Sequence, residues 1–154
     1  MDEMAIARAF HVVSVIAWIG GVYLVTFVVL PAVRNMDEAL DQIRSFDDIE
    51  SRFGGHAKVM VLTAGASGFY MLYKLDAWDR YANLDFWWLH AMTLIWGLFT
   101  LVLFILEPLF LHAWFYKRAQ EAPAETFAMV ARFHQFILII SLITAFGAVA
   151  GAHG

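Results

Sequence analysis

The 154-residue chain contains no cysteine. That absence excludes disulfides, thiolate metal sites, iron–sulfur clusters and covalent c-type haem attachment. Charge is also scarce, at 16% of residues against about 25% in ordinary soluble chains. A basic excess is missing as well: the formal net charge is −4, which argues against nucleic acid or another polyanion as partner. What abounds is apolar surface. Hydrophobic residues make up 62%, against roughly 45–50% in soluble chains. A single domain of this length cannot hide so much apolar surface from water. The composition therefore excludes a soluble enzyme and a disordered chain, and points to one transmembrane domain covering 1–154. Six histidines in such a chain ask for an explanation.

The charges leave four apolar stretches. Ala9 to Val33 holds no charged residue, and neither does Phe86 to Leu106. A stretch from Gly54 to Tyr73 carries the single cation Lys58, and the last runs from Phe133 to Gly154. A spanning helix needs about 20 residues, so each is long enough, the second if Lys58 snorkels. Continuous apolar runs without period-two alternation mean helices, since only helices and closed barrels cross lipid. The expected fold is an all-α integral membrane protein: four transmembrane helices at about 6–30, 54–74, 86–110 and 129–151 in an up-down bundle. The first run has no signal-peptidase pattern and is expected to stay as the first span.

Side A denotes the side of the membrane holding both termini. Arg8, Lys74 and Arg80 lie there; the other seven Lys and Arg lie on side B. The positive-inside rule then places side B in the cytoplasm. In the inner membrane of a bacterium both termini would face the periplasm. Between the first two spans, Met36, Leu40, Ile43, Phe46, Ile49 and Phe53 recur at steps of three or four. This predicts a separate amphipathic helix over about 35–53, lying on the cytoplasmic rim with a solvated acidic face.

The chain also repeats itself. His11 and His90, His56 and His134, Trp18 and Trp96, Pro31 and Pro108, and Arg52-Phe53 and Arg132-Phe133 are related by offsets of 77–80 residues. This suggests duplication of a two-helix unit. Copies of a two-span hairpin are parallel, so equivalent residues share a side. In an up-down bundle the first and third spans are diagonal, as are the second and fourth. His11 and His90 are thus expected to face one another toward side A, and His56 and His134 toward side B. Two opposed neutral imidazoles suit a six-coordinate haem iron built for electron transfer. The two levels would lie about 20 Å apart at 1.5 Å per residue.

Other residues fit around such haems. Gly21, Gly65 and Gly97 offer gaps for a flat ring, although glycines in membrane helices also serve plain packing. Trp18 and Trp96 are placed to line the ring edges. Arg8 on side A, and Arg52, Lys58 and Arg132 on side B, are placed to pair with propionates. Glu107, before Pro108, is either an interfacial helix end or a proton-carrying carboxyl. His112 and His153 lie near the rims, where either can replace a nominated ligand.

Phe10-His11 followed by Trp18-Ile19-Gly20-Gly21 and Pro31 resembles the first span of CopD-type and HemJ-type membrane proteins. Trp87-Trp88-Leu89-His90 resembles the third span of the HemJ type, and Arg132-Phe133 the head of its fourth. The HemJ resemblance implies a haem-b-binding protoporphyrinogen oxidase with His11 and His90 at the haem; the CopD resemblance implies copper uptake. The chain departs from the HemJ pattern in having Met92 where a lysine is usual, and His134-Gln135-Phe136-Ile137 in place of Asn-Glu-x-Pro. The additional His56 and His134 point to a second haem.

The expected function is a di-haem b cytochrome transferring electrons across or at the membrane, with quinone, a reactive oxygen species or a redox protein as partner and the bilayer as its surroundings. It could assemble with further copies of itself. The alternatives are the HemJ-type oxidase with a single haem, and copper transport through histidines with Met60, Met92 or Met129, since copper(I) favours thioethers.

Overall fold

The computed structural model describes residues 2–153, and side chains as far as Gly151. The side chain of His153 lies outside the described residues. Four long helices run through the chain: α1, Glu3–Arg34; α2, Ala39–Lys74; α3, Leu84–Glu121; and α4, Pro123–His153. Asp2 caps α1 by accepting from the Met4 amide, satisfying one of the free N–H groups of a first helical turn. No strand occurs among the described residues.

Two of the helices widen locally. α1 makes a π-helical stretch at Val25–Val29 just before Pro31, and α3 makes a longer one at Val102–Leu111 around Pro108. Proline lacks an N–H and its ring crowds the carbonyl four residues back. A π turn relieves the crowding without ending the helix. The two prolines matched by the sequence repeat thus carry the same deformation.

α1 packs chiefly along α2, and α3 along α4; α2 also meets α3, and α1 meets α4. Neighbours are antiparallel. The Glu3–Lys74 ion pair, 3.0 Å, joins the start of α1 to the end of α2. At the same end, Trp87 and Trp88 of α3 lie on Gly147 and Gly151 of α4. Two apolar cores occupy the interior. One, at mid-bundle, joins Trp18, Val22, Val61, Ile95, Phe99 and Leu138. The other, toward side B, joins Leu30, Val33, Ile43, Phe46, Phe115 and Phe127.

The second core changes the expected layout. Residues 39–53 do not form a separate helix on the rim; they are the first part of α2. Gly54-Gly55 in mid-helix costs only about 1 kcal/mol per residue, too little to stop a helix whose apolar stripe has found partners. Ile43 and Phe46 are each 1% exposed, with Phe46 packed on Phe115 and Phe127. The connections are correspondingly short. Residues 35–38 link α1 to α2, and Ala122 alone separates α3 from α4, with Pro123 opening the next helix. Proline suits a first helical position, where its missing N–H has no partner to lose.

The outside of the bundle is apolar. Phe10, Val13, Ile16, Phe27 and Val28 on α1 are exposed, as are Leu94, Leu109 and Phe110 on α3 and Phe136, Ile143, Phe146 and Val149 on α4. An apolar coat of this extent is consistent with a surface that faces lipid. Three helices, Glu3–Arg34, Leu84–Glu121 and Pro123–Gly151, are long and apolar enough to cross a membrane. α2 is long enough at 36 residues, but Lys58, Thr63, Gly65, Ser67 and Gly68 dilute its apolar part.

The buried ring of Phe46 tests the side-B core. Phe46→Ala is expected to destabilise the protein by about 3–5 kcal/mol, seen as a lower thermal midpoint in detergent. Ile49→Ala, at an exposed position on the same helix, should change it little.

Candidate functional site

The side-A histidines sit on opposite helices, each oriented by backbone. His11 of α1 turns toward α2, where its Nδ1–H donates to the Ala64 carbonyl at 2.8 Å. The Ser67 hydroxyl is 3.4 Å from the same nitrogen, and the ring lies against Gly68. This fixes the tautomer with Nε2 as the lone-pair nitrogen, the state in which a histidine ligates a metal. His90 of α3 lies with Nδ1 3.1 Å from the Phe86 carbonyl and Nε2 3.1 Å from the Tyr81 carbonyl. A neutral imidazole has one N–H, so it serves one of these carbonyls at a time. Tyr81 also packs edge-on against the His90 ring and bonds Thr93 at 2.7 Å. Ligation through His90 Nε2 therefore requires the Tyr81 carbonyl to draw back. Tyr81 belongs to the link between α2 and α3.

Deeper on α1 is Trp18, 4% exposed and edge-on to Phe99. Its Nε1–H is fully buried with no hydrogen-bond partner. An orphaned buried donor costs about 1–3 kcal/mol. The repeat-related Trp96 is satisfied instead: its Nε1–H donates to the Val61 carbonyl at 2.9 Å. The Trp96 ring fills the notch at Gly65, and Phe53 fills the one at Gly21. Gly97 faces open space. Of the three glycines read as ring gaps, two thus hold side chains of this chain.

The side-B histidines are not brought face to face. His56 is exposed on α2, and its Nδ1–H donates to the Arg52 carbonyl of its own helix at 2.9 Å. His134 is partly buried on α4 and donates to the Val130 carbonyl at 2.9 Å. Of the nominated cations, Arg8 and Arg132 are exposed, and Arg52 pairs with Asp48 on its own helix at 3.2 Å. Among the described residues, no three His, Asp or Glu side chains converge as a metal site.

Lys58 has a different partner from the one its position suggested. Its ammonium donates to Glu107 of α3 at 3.2 Å. The two side chains are 34% and 36% exposed, so water screens the pair. One end of the same seam holds His112 and Asp47, 3.3 Å apart. Glu50 stands on α2 between them. Burial, and then the charges of Glu107 and Asp47, push its carboxyl up to about 7, with His112 pulling it down. Asp47 and Glu50 read in the sequence as part of a solvated acidic face. The available signal was the spacing of Asp47, Glu50 and Lys58, which puts all three on one helix face.

Trp18→Phe removes the orphaned donor together with the five-membered ring that carries it. In protein stripped of any cofactor, relief of the desolvation cost of about 1–3 kcal/mol offsets the small cavity left in the core, so the thermal midpoint is expected to change little. A fall of about 3 kcal/mol or more would mean the N–H already has a partner. No family model, curated protein or solved structure matches the chain.

Proposed function

We propose that this chain is a membrane cytochrome b: a four-span up-down bundle in a bacterial inner membrane, termini periplasmic, holding haem b by histidine for electron transfer. The observation that carries this reading is the buried Trp18 N–H without an acceptor, on the same helix as His11, whose free Nε2 is set by the bond to Ala64. A buried donor and an oriented imidazole fit a polar, metal-bearing ring between the helices. The apolar coat on α1, α3 and α4 supports the membrane setting. α2 completes the bundle as the fourth span, its Lys58 neutralised by Glu107.

In this reading His11 and His90 are the iron ligands, and Ala64 and Phe86 hold their rings through Nδ1. Trp18 donates a hydrogen bond inside the bundle. Arg8, one turn before His11, pairs with a propionate at the side-A surface. Bound haem b would supply a one-electron couple, with His11 and His90 as the residues that would hold it, a pair suited to electron transfer. A quinone or a redox protein is the electron partner. The outward side chain of His56 favours one haem over two. A second haem at His56 and His134 needs α2 to turn His56 inward. A single haem is also the stoichiometry of the HemJ-type oxidase, which is the second reading.

Purification in detergent followed by a pyridine haemochrome assay tests this. Haem b is expected, lost in His11→Ala and in His90→Ala. Retention in His56→Ala and His134→Ala means one haem; loss of half means two. Oxidation of protoporphyrinogen by the wild type selects the oxidase. A colourless protein that binds copper overturns both haem readings.

A further inference from the structure

α2 presents Asp47, Glu50, Gly54 and Lys58 at steps of three and four, hence along one face. That face meets α3 where it is π-helical. The widening matters for which side chains meet α2. Residues five apart stand about 140° apart on an α-helix; π-helical turns bring them close to alignment. The amide of His112 bonds the Glu107 carbonyl, five residues back. Both Glu107 and His112 thereby reach α2 side chains.

The seam holds three acids and two bases. Each base is committed: His112 to Asp47 at 3.3 Å, and Lys58 to Glu107 at 3.2 Å. Glu50 is the acid left over. It is half-buried and stands on this face of α2 between Asp47 and Lys58, each of which bonds α3; no ion pair reaches it among the described residues. The charged groups that act on it are Asp47 on its own helix and Glu107 and His112 on α3. Asp48 and Arg52 pair with each other on the exposed surface. A carboxyl that is half-buried and close to two other acids, with both bases already engaged, takes up a proton more readily than a solvated one.

We propose that Glu50, flanked by the Asp47–His112 and Lys58–Glu107 pairs, is a proton-exchange site at the side-B end of the α2–α3 seam. Uptake forms one O–H bond on a Glu50 oxygen and neutralises that carboxylate. Release returns the proton to side-B water, and no electron moves. The site needs no cofactor and stands apart from the haem reading.

Infrared pH titration of the full chain in lipid nanodiscs tests it, through the C=O stretch of a protonated carboxyl. Wild type is expected to lose one such band as pH rises through about 7. Glu50→Gln should abolish that band. Glu107→Gln should retain it but move its midpoint to lower pH, because a neighbouring negative charge is gone and Lys58 is freed. Stability should follow the same proton. With its carboxyl raised from 4.5 to about 7, Glu50 favours the fold most at low pH. The thermal midpoint should therefore fall as pH rises across that window, and Glu50→Gln should flatten the fall. A band that survives Glu50→Gln, or no carboxyl titrating near neutrality in wild type, overturns the proposal. Should Glu50→Gln fail to fold, an unmoved midpoint in Glu107→Gln overturns it equally.

Discussion

The bundle depends on aromatic rings seated on glycines of the neighbouring helix. Phe53 lies on Gly21 and His11 on Gly68, joining α1 and α2; Trp96 lies on Gly65, joining α2 and α3; Trp87 and Trp88 lie on Gly147 and Gly151, joining α3 and α4. Between helices that cross lipid there is little hydrophobic drive, and close packing and hydrogen bonds are what would hold them together. A ring that needs the absence of a Cβ across from it sets both spacing and register. At Gly65, Gly68, Gly147 and Gly151, which no other glycine adjoins, a shift of one residue would bring a side chain under the ring.

That packing also determines what the polar groups can reach. His11 rests on Gly68 because no Cβ intervenes, and so its Nδ1 meets the Ala64 carbonyl. Trp96 sinks into Gly65 and finds the Val61 carbonyl. Trp18 has the same place in the repeat but packs on Phe99, and its N–H finds no acceptor. The two tryptophans, 78 residues apart, thus differ in what the polar edge of the ring meets. The side-B charges follow a separate logic, in which the widened α3 turns both a carboxyl and an imidazole toward α2.

Much of the architecture is legible in the residues themselves. Four apolar runs separated by charge predict four helices; the paired prolines are visible too, but not the π-helical widening that accompanies each. The upright position of residues 39–53 is not legible, because an amphipathic stripe looks the same against lipid headgroups as against Phe115 and Phe127. The partners of the glycines are equally hidden: a sequence shows a gap but not which ring fills it. Glu107 stands out in the sequence as an isolated acid in an apolar run. Glu50 does not, because it sits among other acids and only the fold separates the one facing α3 from those facing water. The outward turn of His56 has the same cause, since its direction depends on the rotation of α2 that Ile43 and Phe46 impose from the other end.

The one-residue break at Ala122 has a mechanical meaning. With no slack between them and two tryptophans seated on α4 at the far end, α3 and α4 form a stiff hairpin. α1 and α2 are joined by the longer link of residues 35–38, and the segment between α2 and α3 is longer still. Relative movement therefore concentrates where the two hairpins meet. One such boundary is the α2–α3 seam, with opposed charges near side B and the Tyr81 contact to His90 near side A. A shift of one hairpin against the other is felt at both ends of that seam at once.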